Sequence, residues 1–353
     1  MNKTNIFINS IKEQQKLIFG SLGQLINKGT KVALLDFPNH NNVGDNAIWL
    51  GEKAALKKMG VEVVYQCDIY SFSEKALRKR LDNKGVILLH GGGNLGSVWP
   101  AHQNFREKII GLFPEMRIIQ LPQSVHFDDD NRKMEFGRIA KAHKDCYFLL
   151  RDHSSFNTLK DLGLRVRLCP DMAFAMGPVP QKNKSVVDIV WLKRTDHETA
   201  GNKGENFSFK TEKLDWLAGE PGRFYSKFSP KFTVRVRGLV QSIFRKSKLF
   251  RDHFWRLNAA SFDLLAQRRF QRGTRILCRG KIVLTDRLHG HIVSTLLGKP
   301  QVLFDNHYRK IGNYIDCFES TQEAIFYVGD DKLNVEAKVS KALELVKKRS
   351  KDE

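Results

Sequence analysis

The sequence predicts an α/β fold of two units, each built on a parallel sheet with helices on both faces. Three observations carry this. Short apolar runs recur along the chain without polar alternation, as strands buried on both faces read. Each run is followed by a glycine-containing turn and then by helical periodicity, and such an alternation is solved by a parallel, doubly wound sheet. The alternation pauses once, at residues 177–184 (GPVPQKNK), where two prolines in a polar run mark a linker.

An amphipathic helix is expected near residues 4–27. The strands of the first unit are then VALLDF after Lys31, EVVYQC after Val61, VILLH after Gly85, IIQLP after Arg117, YFLLR after Cys146 and VRLCP after Arg165. Helical stretches fall between them at 46–59, 73–81, 104–113, 130–141 and 154–162. The second unit, smaller, has strands VDIVWL after Val186, IVLTD after Lys281, PQVLFD after Lys299 and IFYVG after Ala324, with a helix over 289–297. The expected organisation is residues 1–178, residues 185–330, and a charged closing helix within 331–353.

Composition narrows the function. The chain has 353 residues, with 59 Lys and Arg against 38 Asp and Glu, a net charge of +21. Its 41 % apolar content is too high for a disordered polycation. No run approaches the roughly 18 apolar residues of a membrane-spanning helix. Charges spread through residues 1–19 leave no apolar signal core, so export is not expected and a cytoplasmic setting fits. Five scattered cysteines (Cys67, Cys146, Cys169, Cys278, Cys317), without a C-x-x-C pair, write neither a disulfide framework nor a zinc site. Over half of the charge is local. Residues 223–275 hold 14 Lys and Arg and two acids, Asp252 and Asp263, a net +12. There Leu239, Ile243, Phe250, Phe254 and Leu257 fall on one face of a helix, while Arg245, Lys248, Arg251 and Arg256 fall mostly elsewhere. Such a basic amphipathic helix lies on an anionic membrane or an acidic partner, or packs on its own domain with a solvated basic face.

Candidate site residues cluster after strands, where an open α/β sheet presents its ligands. In the turn over 39–51, Gly44 and Asp45 stand where backbone N–H groups meet a helix N-terminus, an arrangement that serves an anion or an ordinary cap on Asp45. Gly91, Gly92 and Gly93, followed by Asn94, are costly in chain entropy, and close approach of a ligand explains them better than a turn. Neither a Walker loop nor a regular dinucleotide fingerprint is present, which weakens nucleotide hydrolysis and dehydrogenase chemistry. Arg151 follows a buried run and offers a fork for a carboxylate or phosphate. Arg287 and His289 open a helix and stand at its positive end; Arg287 could also be the structural partner of Asp286 or Asp171. No metal-ligand spacing appears.

The motifs N-x-G-D-x-A-I (42–48), H-G-G-G-N-L-G (90–96), P-Q-S (122–124), R-D-x-x-S (151–155), P-D-M-A-F (170–174) and T-D-R-L-H-G-H-I (285–292), with G-K-P-Q-V at 298–302, resemble the polysaccharide pyruvyl transferases. The resemblance runs over about residues 30–318 and leaves out the N-terminal thirty residues and the segment 223–275. It implies a GT-B-like pair of Rossmann-like domains facing a cleft, with pyruvate passing from phosphoenolpyruvate to a sugar diol as a cyclic ketal, and no cofactor or metal. It implies functional roles at Arg151, His289 and Lys310, and places Gln123, Ser124 and Asp171 beside the donor with Gly44, Asp45, Gly91, Gly92, Gly93, Asn94 and Arg287. The acceptor would be a saccharide, free or lipid-linked, and residues 223–275 would dock on an anionic inner membrane surface. Two other readings stay open: a sugar-nucleotide glycosyltransferase on the same architecture, and a nucleic-acid-binding protein, motivated by charge but lacking a known module.

Overall fold

The computed structural model describes residues 5–352 apart from 83, 182, 194–206, 217–238, 240–241, 245, 306–308, 320–322 and 330–334. It holds two sheets with every strand pairing parallel. The first contains β1 (Lys31–Leu35), β2 (Glu62–Cys67), β3 (Val86–Leu89), β4 (Gly92–Gly96), β5 (Arg117–His126), β6 (Cys146–Leu150) and β7 (Val166–Leu168), in the order β2-β1-β3-β5-β6-β7 with β4 beside the far end of β5. The second contains β8 (Val187–Leu192), β9 (Thr211–Leu214), β10 (Gly280–Thr285), β11 (Gln301–Phe304) and β12 (Ile325–Gly329), in the order β12-β11-β10-β8-β9. The central strands β1, β3 and β10 are apolar runs buried on both faces, which is why they carry no alternation.

Helices cover both sheets. They are α1 (Asn5–Gly23), α2 (Val43–Lys58), α3 (Glu74–Leu81), α4 (Pro100–Leu112), α5 (Asp130–Ala142), α6 (His153–Asp161), α7 (Lys248–His253), α8 (Trp255–Cys278), α9 (Leu288–Leu296), α10 (Lys310–Phe318) and α11 (Val335–Asp352). Helix starts follow the capping chemistry of the sequence: Asn42, Ser73, Asp129, Asp152 and Ser247 each accept a backbone N–H in the first turn. Among the described residues no helix is long and apolar enough to cross a membrane.

Three expectations change. Residues 91–94 do not form a plain turn, because Gly92–Gly96 is extended beside β5. Gly92 (φ +125°) and Gly96 (φ +121°) take conformations that L side chains avoid, and a Cβ on Gly96 would overlap the His126 carbonyl. The basic stretch is not one helix, since α7 ends at His253 with Phe254 as its cap and α8 begins at Trp255. Arg245 and residues 223–238 lie outside the described residues. Finally, α8 is not an appendage of the second unit. Its Phe262 stacks on Phe37 at 4.2 Å, its Trp255 packs on Tyr65 at 5.1 Å, and Gly273 fits between Val43 and Trp216, so the helix covers α2 and β2 of the first sheet.

The two sheets share one continuous core, running from Ile11, Ile18 and Leu22 of α1 through β1 and β3 to Leu296 and Tyr314. Helix α1 fastens them from behind. Gln14 donates to the Phe318 carbonyl (2.9 Å) and accepts from the Tyr314 hydroxyl (3.1 Å), while Gln15 donates to the Phe174 carbonyl (3.2 Å).

Candidate active site

A cleft of about 420 Å³ opens where the carboxyl ends of both sheets meet. Loop 38–42, the start of α2, the β3–β4 glycines, the ends of β1 and β6, and the first residues of α9 and α10 all reach it. Arg151, Arg287, His289 and Lys310 line it together with Asp45, Gly93 and Asn94. Residues far apart in sequence thus present cations and an imidazole to one space.

Asp171 organises the wall behind them. It is fully buried and accepts from Arg151 Nη1 at 2.6 Å, with His289 Nε2 at 3.3 Å from the same oxygen. The His289 contact is ionic rather than an aligned hydrogen bond, so Nε2 is a buried nitrogen without a hydrogen-bond partner. Burial pushes the Asp171 carboxyl up, but His289 and Arg151 outweigh it and hold the group well below the usual carboxylate range. Arg151 is fixed further by Nε donating to Ser124 Oγ (3.0 Å), and its backbone N–H donates to the Gln123 carbonyl (3.1 Å). Arg287 Nη2 donates to both carboxylate oxygens of Asp215, at 2.9 and 3.0 Å.

The glycines acquire specific reasons. A Cβ on Gly44 would collide with the His289 ring, so Gly44 lets α2 and α9 approach at their N-terminal ends. The cap of α2 is Asn42, which accepts from Gly44 N at 3.0 Å, and Asp45 is left facing the cleft. A Cβ on Gly93 would press on the Arg151 guanidinium at 3.2 Å. Gly91 lies 2.6 Å, at its would-be Cβ, from the Pro122 carbonyl, and donates its N–H to Glu52 at 2.8 Å. Gly92 takes its positive φ beside them. Gln123 is buried and clamps this loop, donating to the His90 carbonyl (3.1 Å) and to Asn94 Oδ1 (2.7 Å) and accepting from Asn94 N (3.2 Å). Ser124, held to Asp152 at 2.8 Å, lines a smaller cavity of about 110 Å³ that also touches Gly93 and Lys310. Eight of the thirteen sequence-derived residues therefore face one of the two cavities, namely Arg151, Arg287, His289, Lys310, Asp45, Gly93, Asn94 and Ser124, while Asp171 and Gln123 brace Arg151 and Asn94 through hydrogen bonds. Gly44, Gly91 and Gly92 shape the wall behind them.

Sequence reasoning missed a second set of ionisable groups in the cleft. Asp36, at φ +70° just past β1, meets His102 Nδ1 at 2.8 Å; His40 stands 3.6 Å from Asp45; and His90 Nδ1 meets the fully buried Glu52 at 2.8 Å. Burial pushes the His90 pKa down, yet the Glu52 charge lifts it above the ordinary imidazole value. Trp99 and Trp216 complete the lining. Asp36 carried the one legible signal, a polar residue directly after an apolar strand; His102 and Trp99 sit in a stretch with no motif of its own. Among the described residues no group of three His, Cys, Asp or Glu side chains is arranged to hold a metal ion.

Comparison with known proteins gives this geometry a lineage. The chain is 30 % identical over 329 residues to pyruvyl transferase 1 of Schizosaccharomyces pombe, covering 87 % of this chain and 74 % of the yeast protein. It is also 30 % identical over 309 residues to a Bacillus subtilis protein named as pyruvyl transferase EpsO, covering 86 % and 89 %. A crystal structure of an uncharacterized protein from Klebsiella pneumoniae shares the fold, with a TM-score of 0.52 and 19 % identity over 86 % of this chain and 93 % of that one. The polysaccharide pyruvyl transferase family model matches residues 42–308, which takes in every motif at the cleft from Asn42 to His291, and the chain belongs to that family of enzymes.

Proposed function

We propose that the chain transfers pyruvate from phosphoenolpyruvate to two hydroxyls of one sugar, forming a cyclic ketal and releasing phosphate. The observation that carries this reading is the convergence of Arg151, Arg287, Lys310 and His289 on one cleft. A donor with a phosphate and a carboxylate calls for several cations held in fixed geometry. Asp171 and Ser124 hold Arg151, and Asp215 holds Arg287, so neither guanidinium is free to swing. The saccharide acceptor that the family implies would enter along the opposite wall, where the Asp36–His102 pair and the exposed face of Trp99 stand. In this reading the acceptor is a cell-surface polysaccharide repeat unit, carried on a lipid at the cytoplasmic face of the membrane.

The reaction proceeds in two additions. The enol methylene takes a proton from His289 and becomes a methyl group, while the first sugar hydroxyl adds to the neighbouring carbon and passes its own proton to the donor phosphate. The second hydroxyl then attacks the same carbon, phosphate leaves with the electrons of the C–O bond, and the hydroxyl proton is taken up by His289 or by the departing phosphate. Arg151 and Lys310 balance the charge that gathers on that phosphate. Acid–base positioning of this kind contributes about 10²–10⁴-fold. The test is phosphate release from phosphoenolpyruvate with a saccharide-bearing membrane extract, and detection of the ketal methyl group in the product by NMR. His289→Ala should lower turnover by about 10²–10⁴-fold; equal rates for the two proteins would remove His289 from the chemistry.

A further inference from the structure

Exposed apolar side chains are concentrated in and around α7. Among the described residues Leu239, Leu249, Phe250, Phe254 and Leu257 are all exposed, Leu257 by 71 % and Leu249 by 62 %. Single exposed apolar residues elsewhere are ordinary, but these are concentrated in and around a six-residue helix. The cluster is continuous and built on a folded base. Phe250 lies 5.0 Å from Phe254 and 6.2 Å from the buried Phe244, Arg251 donates to the Phe244 carbonyl at 2.8 Å, and Asp252 bonds Ser73 at the start of α3. Trp255, next in line, is buried against Tyr65. These apolar groups are therefore held outward while their neighbours are held in.

Cations from two separate elements ring this surface. Lys248, Arg251 and Arg256 come from the basic segment, and Lys75, Arg78 and Arg80 from α3. Arg80 and Arg256 both approach the Trp255 ring, at 5.7 and 5.8 Å. Between α3, α4 and α7 an open groove of about 560 Å³ is lined by Lys75, Arg78, Lys108, Lys248 and Arg251, against the acids Glu74 and Asp252. Glu74 and Glu115 engage Arg78 and Asp252 engages Ser73, so the groove remains strongly positive at its Lys75–Lys248 mouth.

We propose that this face docks the enzyme on an anionic bilayer, with Leu249, Phe250, Phe254 and Leu257 entering the headgroup layer and the groove receiving a lipid phosphate. A bilayer is the one partner that offers anionic groups above hydrocarbon. A polyanion such as nucleic acid would use the cations and leave the leucines and phenylalanines in water. A second copy of the chain would bring one cationic rim against another. The basic charge that sequence alone assigns to one helix is, in the structure, a rim of two elements around an apolar centre.

The experiment sediments the full-length protein with vesicles of phosphatidylcholine alone or of equal parts phosphatidylcholine and phosphatidylglycerol, in the absence of substrate. Binding to the anionic vesicles only, weakened by added salt, is expected. The double variant Phe250→Ser, Leu257→Ser should bind at least about tenfold more weakly, and so should Lys75→Glu, Lys248→Glu. Both should keep the wild-type melting temperature and phosphate release with a water-soluble acceptor. The proposal fails if wild type ignores anionic vesicles, if the serine variant binds them as wild type does, if duplex DNA binds both proteins alike and as tightly as the vesicles, or if inorganic phosphate alone displaces the vesicles. Vesicle binding is measured without turnover, so its failure leaves the reaction standing and failure of the reaction leaves it standing.

Discussion

Asp171 shows at a single residue how the cleft is charged. Its carboxyl is fully buried, which by itself would favour the neutral form, yet the His289 and Arg151 charges keep it ionised. Its folded-state pKa is depressed below the ordinary value of about 3.9, so its contribution to stability is fully present above that pH and is lost as pH falls through the folded value. Asp171→Asn should cost about 3–5 kcal/mol near neutral pH, because it strips the counter-charge from a buried Arg151. In urea titrations the gap between wild type and variant should stay constant down to about pH 4 and narrow below it. Gly44 gives a second prediction. Gly44→Ala places a methyl group against the His289 ring, so turnover should fall by an order of magnitude or more in the phosphate-release assay while the urea midpoint moves little. At this scale the sequence was informative about identity and less so about packing. Gly44 was legible as a special position, but the room it leaves for the His289 ring was not. The Asp215 partner of Arg287 was not legible at all, because nothing local ties a residue after β9 to one after β10.

Periodicity found the buried strands because they are apolar on both faces, and it found α2, α5 and α6 to within a few residues. It failed where a pattern has two structural solutions. A run of glycines reads as a turn unless the partner strand is known, and β5 supplies that partner to β4 only in three dimensions. The apolar spacing over 239–257 fits one helix on a wheel, and only the structure shows the break at Phe254 between α7 and α8. Helix α8 then joins the first sheet to the cleft. Arg269 donates to the Pro38 carbonyl at 3.1 Å and Arg272 to the Asn41 carbonyl at 2.6 Å, so the helix props the loop that ends at the cap of α2. Phe262→Ala should therefore destabilise the protein by about 3–5 kcal/mol, measured by urea unfolding, although it lies in a stretch whose composition reads as a solvated basic surface.

The family assignment replaces the sugar-nucleotide glycosyltransferase reading at the level of the whole molecule, and four of its motifs, at 42–48, 90–96, 151–155 and 285–292, border one cleft. The net charge of +21 divides accordingly, with +12 in residues 223–275 and 21 − 12 = +9 over the remainder. What the sequence could not supply was the joint between its halves. The strand patterns of 31–168 and 187–329 describe two sheets, each complete in outline, and a linker between them points to independent units. Helix α1 contradicts that independence, since Gln14 and Gln15 reach elements on either side of the linker and the helix completes an unbroken core. One face of the second sheet belongs to that shared core and its other face packs in a separate cluster with α11, and the shared face should make the two sheets melt together. Scanning calorimetry should record one transition, with calorimetric and van't Hoff enthalpies equal, where two domains joined by a linker would give a ratio near two.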